Sequence, residues 1–137
     1  MEIYHQTEDK TLTGIEVVSF PAGIKEAFDS LGDTLGRQRA FYGISWMDEN
    51  DHVKYYAMSE EAFPGEGKLH QYECLTIEKG TYHSETVYNW MSKTDCIKDV
   101  FHKLMANTKV SRTRPCIEWY QSEELMLCMI NASTEGV

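Results

Sequence analysis

The sequence predicts an α+β domain of two strand–helix–strand–strand modules, with an antiparallel sheet carrying helices on one face. Three observations predict it. The apolar residues switch twice along the chain from strand-like to helix-like spacing and back. The clearest breaker, "FPGEGK" (63–68), falls near the midpoint. The third is size: 137 residues with 42% apolar and 12% aromatic content suit one domain, residues 1–137, with a real core.

The first module covers about 11–62. "TGIEVVSF" (13–20) is β-branched and aromatic and reads as a strand, ended by Pro21 and Gly23. "IKEAFDSLGDTL" follows, with Ile24, Ala27, Phe28, Leu31 and Leu35 on one helical stripe. "FYGISWM" (41–47) and "VKYYAMS" (53–59) then read as a hairpin around the polar turn "DENDH". "GEG" (65–67) reads as a turn and not a phosphate loop, since no Lys-Ser/Thr pair or helix start follows.

The second module covers about 70–132 and repeats the order. "YECLTIEKGTYHSETVY" (72–88) is one long strand or two, interrupted at Gly80. "KTDCIKDVFHKLMAN" (93–107) is a helix with Ile97, Val100, Phe101, Leu104 and Met105 on one stripe, capped by Thr94 or Asp95. "CIEWYQ" and "LMLCMIN" close the chain as a hairpin through an acidic turn at 122–124. Met126 and Met129 read as packing.

The net charge of −9 leaves 109–114, "KVSRTR", as the nearest approach to a basic cluster. Direct nucleic-acid binding is not expected; the field suits cationic ligands or a basic protein partner. Cys74, Cys96, Cys116 and Cys128 form no C-x-x-C pair and have no His at zinc spacing, so neither metal nor cofactor is expected. Without a signal peptide or an apolar run of membrane length, the reading is a cytoplasmic protein with buried thiols.

Glu118 is the residue that needs explaining. It lies between Ile117 and Trp119 in an otherwise apolar strand, and an isolated buried carboxylate costs several kcal/mol. Alternation puts Ile117 and Trp119 on one side, and Cys116, Glu118 and Tyr120 on the other. The simplest assignment places Ile117 and Trp119 under the helices, leaving Glu118 and Tyr120 on the open face, where spacing alone favours an ordinary solvated carboxylate. Tyr82, Ser84, Thr86 and Tyr88 share one face of their strand, with His83 on the opposite one. Tyr56 with Met58, or Trp46 with Tyr42, could add aromatic walls. Trp90 is either a core anchor or a cap on a groove. A carboxylate ringed by aromatics suits a lipophilic cation. The same parts suit an enzyme, with a desolvated Glu as acid or base beside a Tyr hydroxyl.

"TLTGIEVVSFP", "YECLTIEKGTYHSETV", "RPCIEWY" and "LMLCMI", in that order, resemble the strand motifs of the GyrI-like small-molecule-binding family. That family includes the effector-binding domains of multidrug-responsive transcription activators and a gyrase-inhibitory protein. The resemblance implies two modules about a pseudo-twofold axis with a ligand groove between them. It carries the family's strand glutamate onto Glu118, its Gly-x-Tyr tyrosine onto Tyr82 and its second motif aromatic onto Tyr120. Trp46 and Tyr56 join these as expected ligand-binding residues on strand logic alone, and Trp90 as a candidate cap on the groove. The leading expectation is a stand-alone binder of lipophilic, cationic or planar small molecules. One alternative is hydrolysis of electrophilic cyclopropane-type compounds with the same glutamate; another is an acidic protein-interaction module of gyrase-inhibitor type. No helix-turn-helix reads ahead of the domain, and "HSETVYNW" is more polar than the family's usual run after the tyrosine.

Overall fold

The structure, a computed structural model, describes residues 2–18, 22–50, 52–92, 97–106, 115–122 and 124–131, apart from the side chains of 91, 98, 105 and 106. The strand end at 19–20 with Pro21, the caps Thr94 and Asp95, Cys96 and the basic stretch 109–114 lie outside these residues. The elements are β1 (Glu2–Gln6), β2 (Lys10–Glu16), α1 (Ile24–Leu35), β3 (Phe41–Met47), β4 (Val53–Glu60), α2 (Glu66–Leu69), β5 (Glu73–Ile77), β6 (Gly80–Tyr88), a 3-10 turn (Trp90–Ser92), α3 (Ile97–Ala106), β7 (Cys116–Tyr120) and β8 (Leu125–Asn131).

The strands form one antiparallel sheet in the order β1-β6-β8-β7-β3-β4-β2-β5. β2, β4 and β3 come from the first half of the chain, and β6, β8 and β7 from the second. They join at the centre, where β3 runs against β7 with Gly43 opposite Glu118. The sheet curls so that the end of β1 touches the end of β5 at the opposite edge. Gln6 at the end of β1 is 5% exposed, and its amide donates to the Ile77 carbonyl of β5 at 2.9 Å. The β5–β6 connection passes through Glu78 and Lys79 to Gly80, whose φ of +146° needs glycine.

One face of the sheet carries α1 and α3. Ala27, Leu31 and Leu35 of α1 pack on Val17, Tyr55 and Ala57. Phe101 and Leu104 of α3 pack on Val87, Cys116, Met126, Cys128 and Ile130. Each buried leucine contributes about 1.5–3 kcal/mol. The other face is not open. It curls around its own core of Leu12, Tyr42, Ile44, Met58, Ile77, Tyr82, Ile117, Leu127 and Met129. The expected sidedness of β7 is therefore reversed. Ile117 and Trp119 belong to the concave core, while Cys116, Glu118 and Tyr120 lie on the helix side. Alternation fixes which residues share a side, not which side the helices take.

Three smaller corrections follow. The first strand of module one runs Lys10–Glu16, earlier than the expected 13–20. The expected turn at 65–67 opens a short helix, α2, entered through Gly65 at φ +91°. Cys74 is exposed, whereas Cys116 and Cys128 are buried as expected.

Glu66 in α2 shows how a buried charge is accommodated here. Its side chain is 5% exposed; the Arg39 guanidinium pairs both carboxylate oxygens, and the Ala62 N–H donates at 2.9 Å. These hydrogen bonds, Arg39 first, hold the Glu66 carboxyl below its ordinary value. A lowered folded value stabilises the fold above the unfolded value and stops doing so as pH falls through the folded one. Arg39→Ala is expected to cost roughly 2 kcal/mol at neutral pH, less than the ~3–5 kcal/mol of a fully buried pair because Arg39 is partly solvated. Urea unfolding checks it, and the deficit should shrink in acid. A loss independent of pH would mean the pairing is not what Arg39 contributes.

Candidate functional site

Glu118 lies where the two helix-side clusters meet. Cross-strand partners point to the same side, so Cys128, Glu118, Gly43 and Ala57 form one row across β8, β7, β3 and β4. Gly43 leaves a gap in that row, and the Tyr55 hydroxyl fills it. A Cβ at Gly43 would fall on both the Tyr55 hydroxyl and Glu118 Oε1. Tyr55 donates to Glu118 Oε1 at 2.7 Å and Tyr120 donates to the same oxygen at 2.6 Å.

Glu118 is 9% exposed. Among the described residues no Lys, Arg or His forms an ion pair with it. Burial raises its carboxyl above the ordinary value, and the hydroxyls of Tyr120 and Tyr55 oppose that without reversing it. Burial, and then the Glu118 charge, also push both phenols up. They therefore stay protonated and remain donors at neutral pH. The Cys116 thiol is pushed up to about 12, by burial first and then by Glu118, which makes it an inert packing group and not a nucleophile.

Aromatic rings run beside the carboxylate. Tyr120 meets Phe28 of α1 edge-on at 5.5 Å and Trp90 of the 3-10 turn at 4.7 Å. Phe28 in turn meets Phe41 at 6.2 Å. The Trp90 indole N–H donates to the Ser122 carbonyl at 2.9 Å, which ties the turn to the β7–β8 hairpin.

The sequence-expected residues divide between the two faces. Glu118, Tyr120 and Trp90 come together on the helix side. Tyr82, Trp46 and Tyr56 lie on the concave side. There Trp46 and Tyr82 line a cavity of about 350 Å³ with Leu12, Ile44, Ile77 and Ile117. Tyr56 stacks on Trp46 at 5.3 Å with the rings 10° from parallel, and the Tyr82 hydroxyl donates to the Glu78 carbonyl at 2.7 Å. The sheet separates this group from the Glu118 carboxylate. His83 is separated from Glu118 by β8, and its buried Nδ1 has no partner among the described residues. Sequence reasoning missed Tyr55, Gly43 and Phe28. Alternation in "VKYYAMS" contained a signal: adjacent tyrosines must face opposite ways, and Tyr55 shares its side with the small Ala57.

Among the described residues no group of His, Cys, Asp and Glu is placed to hold a metal ion, and no helix is long and apolar enough to cross a membrane.

No family model matches the chain and no curated protein matches it. Solved structures do. SAV2435, in a structure bound to tetraphenylphosphonium, has a TM-score of 0.66 at 18% identity, covering 97% of this chain and 94% of that one. A candidate bacterial transcription regulation protein from Staphylococcus aureus MU50 has a TM-score of 0.61 at 15% identity, covering 97% of each chain. A hydrolase from Listeria innocua has a TM-score of 0.53 at 11% identity, covering 96% of this chain and 91% of that one. The chain has the fold of these proteins, in keeping with the GyrI-like resemblance of its strand motifs.

Proposed function

We propose that this chain binds lipophilic cations against Glu118, on the helix side between the α1 and α3 clusters. One observation carries the reading: a buried carboxylate with two phenolic donors, flanked by aromatic rings, and no cationic partner among the described residues. Such a group gains more from an incoming cation than a carboxylate already paired, as Glu66 is. Ring faces add to the attraction and need no fixed ligand shape, so a range of cationic or planar ligands fits. The tetraphenylphosphonium carried by SAV2435 is a cation of this class. The strand order, which reads the same outward in both directions from the β3–β7 pair, supports a pseudo-twofold relation of the modules. Tyr120 and Trp90 join Glu118 in this reading. Tyr82 and Trp46 are assigned to the concave cavity instead, with Tyr56 stacked on Trp46.

Titration with tetraphenylphosphonium, followed by tryptophan fluorescence, tests it. Only ionised Glu118 attracts the cation, so affinity should fall by on the order of tenfold per pH unit as pH drops below the raised Glu118 value. Neutral triphenylphosphine oxide should show no such dependence. If both ligands weaken together, the charge pairing is wrong. The hydrolase alternative rests on the same carboxyl and its two phenols. Mass spectrometry of strained cyclopropanes incubated with excess protein separates the two, since a binder returns them unchanged.

A further inference from the structure

The concave face already holds a cation. Lys10 opens β2 and shares its side with Leu12, so its stem crosses the concave surface. Its Nζ lies 4.4 Å from the centroid of the Trp119 ring and donates to the Tyr42 hydroxyl at 3.4 Å. Tyr42 stacks on Trp119 at 5.8 Å with the rings 14° apart, and Tyr4 meets Trp119 edge-on, also at 5.8 Å. One ring face and one phenol oxygen therefore hold the ammonium, and Tyr4 packs edge-on against that ring. Among the described residues Lys10 makes no ion pair with a carboxylate. A free lysine normally extends into water; this one sits on a ring face. Tyr42 is fully buried, and its phenol is pushed up by burial first and then by the charge on Glu60. An acid thus stands behind the cage without closing on the ammonium.

We propose that Tyr4, Tyr42 and Trp119 form a second cation site, for small quaternary or methylated ammonium groups, occupied in the resting protein by Lys10. Ring faces attract a methylated ammonium as they attract Lys10, and the methylated group gives up less hydration on entering. Lys10 is an intramolecular competitor, which weakens external ligands without blocking them. The site lies on the other face of the sheet from Glu118 and does not depend on the assignment of that residue.

Isothermal titration with tetramethylammonium tests it. Lys10→Met keeps most of the stem and removes the charge. It should bind tetramethylammonium at least about tenfold more tightly than wild type. Adding Tyr4→Leu should abolish that gain. Tyr4 is half-buried on the edge strand β1, so its loss leaves the central core in place. Adding Glu118→Gln should leave the gain intact. The proposal is overturned if Lys10→Met binds within about twofold of wild type, if the gain survives Tyr4→Leu, or if Glu118→Gln removes it. Failure of tetraphenylphosphonium to respond to Glu118 would count against the helix-side site alone.

Discussion

Gly43→Ala is expected to destabilise the protein by about 2–6 kcal/mol and to abolish cation binding. The added methyl falls on the Tyr55 hydroxyl and Glu118 Oε1, in the middle of the sheet where β3 and β7 are pinned by their register. Overpacking a core costs about 1–3 kcal/mol. Separating Tyr55 from Glu118 adds roughly 1–3 kcal/mol more, because a buried carboxylate loses a donor. Thermal or urea unfolding measures the sum. Tyr55→Phe removes the hydroxyl that the methyl strikes, so the double variant should recover part of the loss. A Gly43→Ala protein within about 1 kcal/mol of wild type, or strict additivity with Tyr55→Phe, would show that the gap at Gly43 is not kept for this hydrogen bond.

Glu118→Gln is expected to act in opposite directions on binding and on stability. Tetraphenylphosphonium affinity should fall about 100-fold, or roughly 3 kcal/mol, with neutral analogues little changed. Stability at neutral pH should rise by about 1–2 kcal/mol, since glutamine still accepts from both phenols but carries no buried charge. The folded value of Glu118 is raised above the ordinary 4.5. Its contribution to stability is therefore full below that ordinary value and is lost as pH rises through the folded one. The advantage of glutamine should accordingly grow across that window and vanish in acid. A glutamine variant less stable than wild type at neutral pH would mean that the carboxylate is satisfied where it lies, and the case for an incoming cation would go with it.

Local signals were legible where they were dense. α1 has the bounds that its apolar stripe implied, with Gly23 before it and Gly36 after it. β3 and β8 also match, because each is a short apolar run between turn residues. β1 was not legible. In "EIYHQ" only Gln6 is buried, so an edge strand of that kind carries no alternation to read. α2 has four residues, too few to show a helical period. Glu118 was found, but its surroundings were not. Its partner Tyr55 is 63 residues away in sequence, and strand logic favoured Tyr56 because of its apolar neighbour Met58. Which side of β7 met the helices depended on the curl of the whole sheet, which buries residues on both sides of that strand.

The contact of Gln6 with the far edge has a consequence for behaviour in concentrated solution. A flat sheet of eight strands would end in two bare borders, each able to template a strand from another molecule. Here both border strands are five residues long, and the Gln6 amide brings the border of one to the last carbonyl of the other. Gln6 thus occupies the last carbonyl of β5, one acceptor at which a stray chain could begin to add.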